Sequence, residues 1–198
     1  MKKPVWQKEK VFEFIMKWNH YENVYAWDIS NEAGSVFPNS DSNYYLSNEQ
    51  LNTAYFDVKS QVKDRPVLIR MNGWFFYDFE SNFFREGNPF TENISDIVMV
   101  NAYSNVDEYF SDFVRIVYER SEKAIHNVDP SVSLIYALGA WEEPPLWKLP
   151  NEGQLLNDME SLSGKNILGT GIFKYGAQGS EYYLPEKVDI WSLIKELI

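Results

Sequence analysis

The chain has 198 residues, 44% of them hydrophobic, enough for one domain with a buried core and too few for two of ordinary size. Its 18 basic and 29 acidic side chains give a net charge of −11, which argues against nucleic acid or an anionic membrane as partner and favours a neutral or cationic ligand. With no cysteine, disulfides, thiolate nucleophiles and sulfur-ligated metals are excluded.

Residues 6–19 place Val11, Phe12, Phe14, Ile15 and Trp18 among charges, the spacing of an amphipathic helix. The period then changes. Residues 24–29 predict a buried strand and residues 34–43 a polar loop. Ser47 to Gln50 offers an N-cap for a helix to about Lys63, closed before Pro66. Residues 66–71 form the next apolar strand, and residues 74–89 a long aromatic loop. Three more pairs follow: strand 96–103 with helix 106–125, strand 131–140 with helix 152–162, and strand 165–173 with helix 188–198. Alternation of this kind means parallel βαβ units. A helix followed by five strand-helix pairs predicts an α/β fold, a partial (β/α)8 barrel holding strands four to eight, since a complete barrel takes about 250 residues. The whole chain, 1–198, reads as one barrel domain that lacks the first three strands. A doubly wound sheet would alternate in the same way, but no Gly-rich phosphate turn follows Ile29.

No run of 18 apolar residues exists, and Met-Lys-Lys-Pro leads into a charged helical stretch rather than an apolar leader, so neither a membrane span nor an export signal is expected. The compartment stays open: cytoplasmic on the sequence as it stands, secreted if the N-terminus is truncated. His20 and His126 each fall near a helix end, too isolated for a zinc site, and no metal or cofactor is expected.

In parallel α/β folds ligands bind at the C-terminal ends of the strands. Those ends carry Asn31 and Glu32, then Asn72 and Trp74, Asn101 and Tyr103, Trp141 with Glu142 and Glu143, and Lys174 with Tyr175. Strand beginnings such as Val24, Val67 and Ile97 are apolar. Glycosidic cleavage needs one carboxyl raised in pKa to give a proton and one ionised, about 5 Å apart for retention and farther for inversion. Glu32 and either Glu142 or Glu143 are the candidate pair. Strand alternation sets Asp28, Ser30 and Glu32 on one face, and an inward Asp28 needs a cation, for which Arg70 on the next strand is the candidate.

The segment Val24-Tyr-Ala-Trp-Asp-Ile-Ser-Asn-Glu32, preceded by the helix containing Phe14 to Trp18, resembles the fourth strand of the clan A glycoside hydrolases, where an Asn-Glu pair ends the strand. The resemblance implies a cellulase- or mannanase-like retaining glycosidase acting on β-linked sugars, with Glu32 as general acid/base and Asn31 bonding the sugar 2-hydroxyl. Tyr103 matches a tyrosine of that clan that bonds the nucleophile. The departure is at the strand 131–140, which carries no glutamate; Glu142 and Glu143 come slightly late. Trp27, Asn72, Trp74, Asn101, Tyr103, Trp141 and Lys174 are the candidate substrate-binding residues, and a carbohydrate is the expected partner. Other readings stay open: a carbohydrate-binding barrel that has lost its nucleophile, or a half-barrel that self-associates or takes a partner chain to complete its sheet.

Overall fold

The computed structural model describes residues 6–32, 46–77, 90–106, 108–173 and 184–197. Five strands lie side by side: β1 (Trp27–Ser30), β2 (Val67–Asn72), β3 (Ile97–Ala102), β4 (Ser133–Gly139) and β5 (Gly169–Phe173). All four pairings are parallel and the sheet order follows the chain, β1-β2-β3-β4-β5. Helix α1 (Lys8–Trp18) precedes β1, and α2 (Asn48–Gln61) joins β1 to β2. Beyond β2 come α3 (Gly73–Tyr77), α4 (Phe113–His126), α5 (Glu152–Glu160) and α6 (Val188–Leu197). A doubly wound sheet reverses its strand order at a switch point, and this one does not. The fold is a partial (β/α)8 barrel.

Register separates the two faces of the sheet. Ile69, Met71, Val98, Val100, Leu134, Tyr136 and Leu138 share one core with Leu51 of α2, Phe113 and Val117 of α4, Leu155 of α5 and Ile190 of α6. Each such fully buried aliphatic side chain contributes roughly 1.5–3 kcal/mol, so this apolar seam sets which face the helices cover. The alternate positions form the inner, barrel-facing side: Leu68 pairs with Ile97, Arg70 with Met99, Asn72 with Asn101 and Asn101 with Ala137. At the strand beginnings, Asp96 accepts from Tyr55, Lys59 and the Val67 amide and so clamps β2 to β3.

Helix starts follow local chemistry. Ser47 and Gln50 form a reciprocal capping box on α2, and Asn151 and Gln154 form another on α5. Strand β5 starts at Gly169 rather than at 165, and three further departures from the sequence reading bear on the site. Residues 74–77 are helical, in α3, because Asn72 Oδ1 accepts from the Trp74 amide and turns the chain directly out of β2. The rest of that aromatic segment, 78–89, lies outside the described residues. Helix α4 starts at Phe113 rather than near Val106, since the side chains of Ser104, Asn105 and Tyr109 are drawn into hydrogen bonds with the α5 side of the fold. Lastly, the alternation through Asp28, Ser30 and Glu32 is broken: pairing with β2 slips between Asp28 and Ser30, so Ser30 stands opposite Ile69 of the helix-facing side.

Candidate active site

Two backbone irregularities aim Glu32. After the slip in β1, Glu32 adopts φ 48°, in the left-handed region where a non-glycine residue is held only by its surroundings. The turn brings its half-buried carboxylate to the end of β3, where Asn101 Nδ2 donates to Glu32 Oε1 at 3.3 Å. Asn101 is buried, and its Oδ1 has no partner among the described residues. Beside this pair lies Tyr103. Burial and the neighbouring Glu32 charge push its phenol well above the usual tyrosine range, against a smaller opposing pull from Arg70. Arg70 Nε sits 2.7 Å from Asp28 Oδ2 on the inner face, the ion pair expected from the sequence. Burial raises the Asp28 carboxyl and Arg70 draws it back.

Tyr103 stands in an aromatic wall. It is edge-on to Trp141 at 4.8 Å between centroids, edge-on to Trp147 at 6.0 Å and stacked on Phe173 at 5.4 Å, while Trp141 also meets Trp147 at 4.7 Å. These rings come from the ends of β3 and β5 and from the segment after β4. In that segment Glu143 and Trp147 exchange backbone hydrogen bonds at 2.9 and 3.0 Å around a Pro144–Pro145 turn. Asn105 fastens it to the sheet, donating through Nδ2 to the carbonyls of Trp141 (3.0 Å) and Lys148 (3.1 Å). Gly139 is required below, because a Cβ there would lie 2.0 Å from Asn105 Oδ1.

The structure brings together Glu32, Asn101, Tyr103 and Trp141 of the expected residues. Asn72 shares the inner face with Asn101, its Oδ1 engaged by the Trp74 amide. Asn31 is exposed next to Glu32. Trp27 and Trp74 stand elsewhere. Trp27 lies on the helix side of β1, donating to Asn19 Oδ1 at 3.2 Å and packed edge-on to Phe14, because inward-facing Asp28 turns its neighbour outward. Trp74 is wedged among Tyr77, Phe110 and Phe113. Glu142 is half exposed, 4.0 Å from Lys187 ahead of α6. Glu143 is exposed, and its side chain makes no hydrogen bond or ion pair among the described residues. Lys174 lies outside the described residues. Among the described residues no three His, Asp or Glu side chains converge as metal ligands, and no helix is long and apolar enough to cross a membrane.

One polar cluster was not anticipated. Asp158 of α5 is 1% exposed, with its carboxyl accepting from the hydroxyls of Ser104 and of Tyr109, the latter at 3.0 Å. Burial pushes this carboxyl up to about 6, although both hydroxyls pull it down. The signal was present in the sequence: Leu155, Asp158 and Leu162 stand at helical spacing, so the acid occupies a position on the apolar face.

No protein-family model matches the chain, and no curated protein matches it. Solved structures do. A putative α-L-fucosidase from Bacteroides thetaiotaomicron aligns with a TM-score of 0.61 at 9% identity, over 95% of this chain and 58% of the other. A β-glucuronidase from Bacteroides uniformis aligns with a TM-score of 0.57 at 14% identity, over 85% of this chain and 21% of that one. The β-glucuronidase 2 of the same organism, solved with cyclophellitol-6-carboxylate aziridine covalently bound, gives the same values. The chain therefore spans about a fifth of the length of the glucuronidases and over half that of the fucosidase, and shares a barrel fold with them.

Proposed function

We propose that the chain is a glycoside hydrolase domain, or a piece of one, that cleaves O-glycosyl bonds of a β-linked sugar with Glu32 as general acid/base. In this reading residues 1–198 form one barrel domain in which β1 to β5 correspond to strands four to eight. The observation that carries it is the placement of Glu32: a left-handed backbone at a strand end, with the carboxylate against the Asn101 amide and Tyr103. Strain of order 1–3 kcal/mol persists only where surrounding structure holds it, and it clusters at sites that do chemistry. Glu32 would give its proton to the leaving-group oxygen and later take one from water. Asn31 would bond the sugar 2-hydroxyl, and the wall of Tyr103, Trp141, Trp147 and Phe173 would flank the ring.

The second carboxyl is assigned to Glu142 or Glu143. Glu32→Gln should cut turnover of aryl β-glycosides by about 10²-fold or more. Unchanged turnover sinks the assignment. Glu142→Gln and Glu143→Gln, assayed in parallel, identify the partner by an equal loss.

A specific observation favours a second reading, a barrel that binds carbohydrate without cleaving it. The end of β4 offers Ala140 and Trp141, both buried, while Glu142 turns to Lys187. Among the described charges, those acting on the Tyr103 hydroxyl are Glu32 and Arg70. Glycan binding that persists in Glu32→Gln, without product from the unaltered chain, is the result that selects this alternative.

A further inference from the structure

We propose that Asp158 is a positioning residue that sets where Tyr103 stands beside Glu32, acting through the Ser104 and Tyr109 hydroxyls on the loop between β3 and α4. The proposal rests on the reading of Glu32 as the acid/base only for its consequence in turnover.

Its geometry is independent of that reading. One face of α5 grips this loop at three points. Asp158 accepts from Ser104 Oγ and from the Tyr109 hydroxyl at 3.0 Å, and Asn157 Nδ2 donates to the Tyr109 oxygen and to the Ser111 carbonyl, both at 2.8 Å. Ser104 directly follows Tyr103, and its buried hydroxyl bonded to Asp158 ties to α5 the backbone that carries the phenol. Asn105, the next residue, is held to Trp141 and Lys148, which leaves the peptide between them little freedom to absorb the movement.

The cluster has two hydrogen-bond arrangements. An ionised Asp158 accepts both hydroxyl protons. A protonated Asp158 must donate to one of them, and the Tyr109 proton then has an alternative acceptor in the Gln154 carbonyl at 3.1 Å. The groups facing Asp158 are Ser104 and Tyr109 from the loop and Gln154 from its own helix; among the described residues no charged side chain of α6, the helix packed against α5, bears on it. Among the described groups, the arrangement answers to the Asp158 proton.

The test places 3-fluorotyrosine at position 103 of the full chain and follows its fluorine resonance from pH 4.5 to 7.5. A Glu32→Gln background removes the neighbouring carboxylate. The expected result is a step with a midpoint near 6, matching the raised Asp158 carboxyl, that disappears in Asp158→Asn. No step, or a step that survives Asp158→Asn, overturns the proposal. Ser104→Ala, which leaves the buried acid in place, should also abolish the step; a step retained there counts against the route through Ser104. With Glu32 restored, Asp158→Asn should lower kcat about 10-fold with KM little changed, and its loss should not add to that of Tyr103→Phe. Additive losses overturn it. If Glu32→Gln leaves turnover intact, the proposed function fails while the fluorine titration still decides the role of Asp158.

Discussion

At Glu32 the requirements of backbone and side chain conflict. A φ of 48° suits glycine, while the proposed chemistry needs a carboxylate at that position. Glu32→Gly should therefore raise stability by about 0.5–1 kcal/mol while abolishing turnover, because the backbone strain goes with the side chain. Denaturant melts of the two proteins read the sign. A less stable Glu32→Gly protein would show that the Asn101 hydrogen bond outweighs the strain. Asp158 gives the opposite kind of test. Its carboxyl is raised from 3.8 to about 6 in the folded chain, so between those values the folded state holds a proton that the unfolded state has released. Stability from this group is full below pH 4 and falls as pH rises to 6, by about 3 kcal/mol in all. Asp158→Asn lacks this component, so the difference in stability between the two proteins should change across pH 4–6 and stay level above it.

At the scale of elements, close backbone approaches fix the site as firmly as hydrogen bonds do. A Cβ on Gly73 would come within 2.5 Å of the Asn101 carbonyl oxygen, so Gly73→Ala must push α3 away from the end of β3. Overpacking of this kind costs about 1–3 kcal/mol, and here it also displaces the residue that holds Glu32. The substitution should lower both melting temperature and turnover, and an unaffected protein would mean that α3 moves freely. The order of strands and helices was legible in the sequence because apolar period reports directly on which face is buried, as in α2 and β2. The Asp28–Arg70 pair was legible because two inward charges on neighbouring strands have few other solutions. What escaped depended on single hydrogen bonds. The slip between Asp28 and Ser30 has no signature in alternation, the late start of α4 follows from side chains that meet α5 only in three dimensions, and Trp27 was assigned by its place near a motif rather than by strand phase.

Across the whole molecule, apolar surface is unevenly distributed. Phe14 is 58% exposed and Met16 70% exposed on α1, next to β1 at one edge of the sheet, with Tyr21 and Tyr25 also exposed nearby. A cavity of about 260 Å³ opens there between α1 and β1, lined by Trp6, Val11, Phe14 and Trp27. Exposed aromatic surface beside an edge strand favours association. Sedimentation of the isolated chain should show concentration-dependent self-association that Met16→Glu weakens, and a monomer at all concentrations would count against it. The strictly sequential strand order has a different consequence. Each strand pairs with one that left the ribosome some 30 to 40 residues earlier, so every unit can dock as it is synthesised, without waiting for a distant segment. Glu32, just after β1, leaves the ribosome before Asn101 and Tyr103, which follow two strands later. During synthesis the turn after β1 thus emerges before the residues that hold it, and pulsed cleavage of ribosome-bound chains should find it protected only once β3 has emerged.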